Sequence, residues 1–116
     1  MITLSIVLFS IGALIGATLA SFHLRGNPPP PRVALIHGAF VGTGLILLTI
    51  EAVRGNLVDI GYFAFALTLL MLVAFAGLLL FALHLEGRRL PRALIGIHAF
   101  TAVSAYAILV YTHFFL

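Results

Sequence analysis

Pro31-Arg32-Val33-Ala34-Leu35-Ile36-His37-Gly38-Ala39-Phe40 has a second version further along the chain, Pro91-Arg92-Ala93-Leu94-Ile95-Gly96-Ile97-His98-Ala99-Phe100. Each version opens an apolar run with Pro-Arg and places one histidine about two helical turns inside it. Just upstream lies a second echo, Phe22-His23-Leu24-Arg25-Gly26 against Leu83-His84-Leu85-Glu86-Gly87. His23 with His84 and His37 with His98 are therefore both pairs at an offset of 61 residues, and together they account for four of the five histidines. An ionisable side chain in an apolar helix is costly and marks function by default.

The surrounding chain is of one kind. Of its 116 residues, 63% are hydrophobic and 8% charged, where a soluble domain carries about 25% charge. Four apolar segments can be drawn, from about Thr3 to Leu24, Arg32 to Val53, Val58 to Leu85 and Leu90 to Leu116. Each exceeds the ~20 residues that cross a hydrocarbon core of ~30 Å. Backbone groups in lipid must find partners within their own segment, so the spans are expected to be helical. The first segment carries no cation ahead of it and no small-residue cleavage site after it, so it reads as a retained span and not as a signal peptide.

The connections are short: Arg25 to Pro31, the Arg54-Gly55-Asn56 turn, and Glu86 to Pro91. Such links force antiparallel neighbours. The expected fold is all-α, a single membrane domain over residues 1–116, built as an up-down-up-down bundle of four transmembrane helices. Its halves, about 1–55 and 56–116, form an internal two-fold repeat, helices one and two matching helices three and four. Both copies enter the membrane in the same sense, which implies a pseudo-two-fold axis along the membrane normal. Arg25, Arg32, Arg88, Arg89 and Arg92 lie at one end and only Arg54 at the other, so the arginine-rich loops are expected in the cytoplasm and both termini outside.

Several functions are disfavoured at once. The chain has no cysteine, hence no disulfide and no thiolate site. Glu51, Asp59 and Glu86 are its only carboxylates, each near a segment end, which argues against acid-base hydrolysis. The high isoelectric point is a ratio of small numbers and does not indicate nucleic acid.

A small residue accompanies each repeated histidine seven positions away, Gly16 with His23, Gly77 with His84, Gly44 with His37 and Ala105 with His98. Seven residues make nearly two turns, so each shares its histidine's face, and Gly12 falls near the face of His23. Small residues at helix interfaces commonly do no more than let backbones approach. Four matched pairs suggest room for something flat and bulky. His23 and His84 sit near the membrane edge, where an interfacial role competes with ligation, whereas His37 and His98 lie ~8–9 Å deeper than the flanking arginines by helical rise. His113 has no repeat mate and reads as interfacial and inert.

Zinc or copper suits imidazole, but structural zinc recruits close ligand pairs that this chain lacks, and di-iron sites need Glu-x-x-His motifs that are also absent. Haem b, one group or two, suits the pattern better, because it takes one histidine on each side of its iron from separate helices. His37, His98, His23 and His84 are the candidate iron ligands, Gly16, Gly77, Gly44 and Ala105 the candidate cleft, and Arg25, Arg32 and Arg92 the candidate partners of the propionates.

A four-helix membrane chain with paired intramembrane histidines and glycines beside them resembles the b-type cytochromes, including bacterial cytochrome b561-like proteins and the membrane anchors of respiratory oxidoreductases. The likeness spans the whole chain in architecture. It implies an electron carrier, or a subunit of a membrane oxidoreductase, in the bacterial inner membrane. Partners on this reading are the lipid bilayer, quinone, and a larger membrane complex or further copies of the chain. In the family's dihaem members the haems lie in opposite leaflets, whereas here four histidines share one. The length also resembles that of small multidrug exporters, but their membrane glutamate in the first helix and their tryptophan are missing. The other classes kept open are a histidine-lined pathway for protons or a transition metal, and a structural membrane anchor.

Overall fold

A computed structural model describes residues 1–55 and 60–116, and every regular element in them is a helix. In chain order these are α1 (Ile2–Leu24), α2 (Pro31–Arg54), α3 (Ile60–Leu85) and α4 (Arg92–Phe115). All four are long and apolar enough to cross a membrane, as an integral membrane protein requires. The expected start of the third span at Val58, together with Asn56 and Asp59, lies outside the described residues. The fourth helix begins at Arg92 and not at Leu90. Pro91 holds an extended backbone there, with φ −61° and ψ 129°, and a residue preceding proline is pushed out of the helical region.

The helix ends account for both sequence echoes. Gly26, at φ 74°, closes α1: its N–H donates to the His23 carbonyl at 3.1 Å, and that of Asn27 to the Phe22 carbonyl at 3.0 Å. Gly87, at φ 69°, closes α3 in the same way, with bonds from Gly87 to His84 and from Arg88 to Leu83, both 3.1 Å. This paired cap needs a left-handed residue just past the helix, which glycine adopts without strain. It also sets His23 and His84 in the last turn of their helices. The decapeptides form the starts of α2 and α4, where a proline loses nothing by lacking an N–H.

Each helix packs against two others, α1 on α2, α2 on α3, α3 on α4 and α4 on α1, most closely within the α1–α2 and α3–α4 pairs. The helices thus form a ring in which α1 faces α3, and α2 faces α4, across the centre. Outward-pointing side chains such as Leu14, Phe75 and Phe100 are 73%, 71% and 76% exposed, a surface suited to lipid and not to water.

The packed apolar core occupies only one end of the ring. Ile6, Phe9, Leu48, Phe63, Ala66, Leu70, Ala105 and Leu109 form it, and all lie in the helix halves remote from Gly26 and Gly87. On the side of those turns only Leu19, Leu90 and Ile95 are buried apolar side chains among the described residues. Two polar contacts join α1 to α4 along the core end. Ser10 donates to the Ile6 carbonyl at 2.8 Å and accepts from Tyr106 at 2.6 Å. Thr3 Oγ1 and His113 Nε2 share a hydrogen bond of 3.0 Å, so His113, expected to be inert, links the first turn of α1 to the last turn of α4.

Candidate functional site

The four repeated histidines stand in two tiers at the end of the ring that the apolar core does not reach. His37 on α2 and His98 on α4 form the inner tier. Both are half-buried and stand on opposite helices. His23 on α1 and His84 on α3 form the outer tier, their rings in edge-to-face contact with centroids 4.7 Å apart and planes at 88°.

Each inner histidine is seated by the other helix of its own pair. A Cβ built on Gly16 would lie 2.8 Å from His37 Cε1, and one on Gly77 would lie 3.1 Å from His98 Cε1. His37 Nδ1 is 2.8 Å from the Gly12 carbonyl. A carbonyl only accepts, so Nδ1 carries the hydrogen and Nε2 of the neutral ring keeps its lone pair. The matching nitrogen of the second pair, His98 Nδ1, is buried and closes no hydrogen bond. In the outer tier His84 donates from Nε2 to the Pro29 carbonyl at 2.8 Å, which leaves its lone pair on Nδ1.

The small residues meet side chains of neighbouring helices. Spacing along one helix paired Gly16 with His23 and Gly77 with His84, and left their faces open for a flat group. The vacancy beside Gly16 is filled by the His37 ring, and that beside Gly77 by the His98 ring. Gly44 is likewise covered, by the Phe9 ring at 3.1 Å from a built Cβ, and Ala105 is fully buried within the apolar core. Neighbours along a helix share a face, but the side chain that fills the gap belongs to the adjoining helix.

The nominated arginines are in part used locally. Arg25 donates to the Ser21 carbonyl at 3.2 Å and to its hydroxyl at 2.8 Å, and lies over the Phe22 ring. Arg92 donates to the Leu24 carbonyl at 3.0 Å, capping the end of α1. Arg32 is exposed. Arg88 and Arg89, weighed in the sequence only as topological charges, instead line a recess of about 510 Å³ whose inner wall is His23 and His84. The Gly12 carbonyl as the partner of His37 Nδ1 has no signal in the sequence, because any residue supplies a backbone carbonyl.

Among the described residues no group of three or more His, Cys, Asp or Glu side chains converges to hold a metal ion by itself. Comparison with family models, with curated proteins and with solved structures returns no match.

Proposed function

We propose that this chain is a membrane electron-transfer protein that holds one haem b between His37 and His98. The observation that carries the reading is the inner tier: two half-buried imidazoles on opposite helices, beyond the end of the packed core, with His37 Nδ1–H committed to a backbone carbonyl. A histidine ligand ordinarily anchors its second nitrogen in this way, which sets both tautomer and ring direction. The residues fit the group. A porphyrin brings four of its iron's ligands with it, so two histidines suffice where a bare ion would need more. The Gly16 and Gly77 seats hold each imidazole from within its own helix pair, so the weaker seam between pairs can admit a flat ring without disturbing them.

Haem b supplies reversible one-electron chemistry at its iron. The protein's part is to orient His37 and His98, exclude water from the inner tier, and set a cationic surface at the mouth. His23 and His84 do not suit a second haem between them. An iron bonded to both rings at ~2 Å would need centroids roughly 6 Å apart, beyond the contact they make. A proton or metal pathway is less well supported. The ring N–H groups of His37 and His84 end on backbone carbonyls, which cannot pass a proton onward.

The finer architecture belongs to the same proposal. The helices run up-down-up-down as two copies of one hairpin. The Thr3–His113, Ser10–Tyr106 and Leu24–Arg92 contacts, which run in opposite directions along α1 and α4, support this. So does the recurrence of glycine cap and glycine seat at one offset. The arginine-rich turns then face the cytoplasm and both termini lie outside, in a bacterial inner membrane. Quinone or a partner subunit exchanges the electron, and the chain works as an oligomer or within a larger complex. Reporter domains fused after Leu116 are expected to be active only outside the cytoplasm; cytoplasmic activity would reverse the assigned orientation. The functional test is a visible spectrum of the purified protein. A Soret band that sharpens on reduction is expected, and a colourless protein purified from haem-replete cells would overturn the reading.

A further inference from the structure

The recess at the turn end is open, cationic and outside the inner tier. Its volume, about 510 Å³, falls in the ~300–1,000 Å³ range of small-molecule sites. Arg88 and Arg89 enter its lining from the α3–α4 connection, and His23 and His84 line it from α1 and α3. Among the described residues no carboxylate lines it. Glu86, one of three acidic residues in the chain, is drawn to Arg88 at 3.5 Å on the outer surface, and Arg89 has no carboxylate partner among the described residues. A topological bias explains which end of the helices the arginines occupy. It does not explain why two adjacent arginines line a cavity.

Cation binding is opposed by that charge, although imidazoles are present. An anion is favoured, and a tetrahedral oxyanion matches the planar donor fork of arginine. The turns that frame the recess close the ends of membrane-length helices, so the phosphates of a bilayer that these helices span would lie at this level. Basic pockets between membrane helices at this level commonly take anionic headgroups.

We propose that the Arg88–Arg89 recess binds a phosphate group, carried by an anionic phospholipid headgroup or by a free phosphate ester. This site is independent of haem at the inner tier. Arg88 and Arg89 supply the charge, and the His23–His84 pair closes the floor and keeps the phosphate from the inner tier.

The test uses the full chain in nonionic detergent, with helix content checked by circular dichroism. Native mass spectrometry compares retained phosphatidylglycerol and phosphatidylcholine offered together, and phosphorus NMR follows inorganic phosphate. The wild type and Arg54→Gln, altered at the opposite end, are expected to retain the anionic lipid at least fivefold over the zwitterionic one. The R88Q/R89Q double variant is expected to retain the two equally. Absence of lipid preference, together with phosphate line broadening that the double variant loses, assigns the site to soluble phosphate esters. A double variant that matches wild type in both arms overturns the proposal. A measurement on unaltered protein covers the case of a misfolded variant: where phosphatidylglycerol is preferred, excess inorganic phosphate must release it, and failure to compete overturns the proposal equally.

Discussion

His37→Ala and His98→Ala are each expected to abolish the Soret band. Each would remove one of the two ligands proposed for the haem iron, and no other histidine is placed to substitute. His23 and His84 are spent on each other, at 4.7 Å between ring centroids, and His84 on the Pro29 carbonyl. His113 is at the far end of α4, bonded to Thr3. His23→Ala and His84→Ala should therefore shift the band without removing it, and His113→Ala should leave it unchanged. The measurement is the absorption spectrum of each variant at equal helix content, with haem counted by pyridine haemochrome assay. Two haems per chain, with all four repeated histidines required, would replace the single-haem arrangement by two groups side by side, one on His23 with His37 and one on His84 with His98.

Gly16→Ala should be the most damaging of the glycine-to-alanine changes at the histidine seats. Its new methyl would stand 2.8 Å from His37 Cε1 and 3.2 Å from Nδ1, closer than packed atoms sit, so either the ring or the helix must move. Overpacking of this kind costs about 1–3 kcal/mol, and moving the ring also loosens its bond to the Gly12 carbonyl. Gly77→Ala meets His98 Cε1 at 3.1 Å, a tight contact that a few tenths of an ångström relieve, and should cost less. Gly38→Ala, Gly42→Ala and Gly96→Ala meet nothing within 4 Å and should not destabilise at all. Thermal unfolding followed by circular dichroism in detergent gives the ranking. Equal midpoints for Gly16→Ala and Gly38→Ala would mean that the His37 ring is not held where the inner tier requires it.

Much of the framework was legible in the chain itself. The composition and four apolar runs point to four membrane-length helices, because lipid leaves a backbone no other way to satisfy its hydrogen bonds. The glycines and prolines between them mark the helix ends for local reasons, namely a left-handed φ after a helix and a missing N–H at its start. The offset of 61 singled out the histidines and matched them in the pairs that form the two tiers.

The contents of the space between helices were not legible. A spacing of seven along one helix identifies a shared face but does not say which neighbour covers it: Gly16 lies seven residues from His23, and the ring it meets is that of His37. Nor does the chain reveal that the apolar core ends partway along the ring, since α1 and α3 are apolar throughout and offer no stripe to follow. Arg88 and Arg89 differ from Arg25 and Arg92 only in what their folded surroundings leave for them to do. The first two line a cavity, while the others are held by a side chain and carbonyls at the end of α1. Local chemistry determined where each helix begins and ends. Which side chain fills each gap depended on contacts between residues distant in sequence, and only the packing of the four helices decided that.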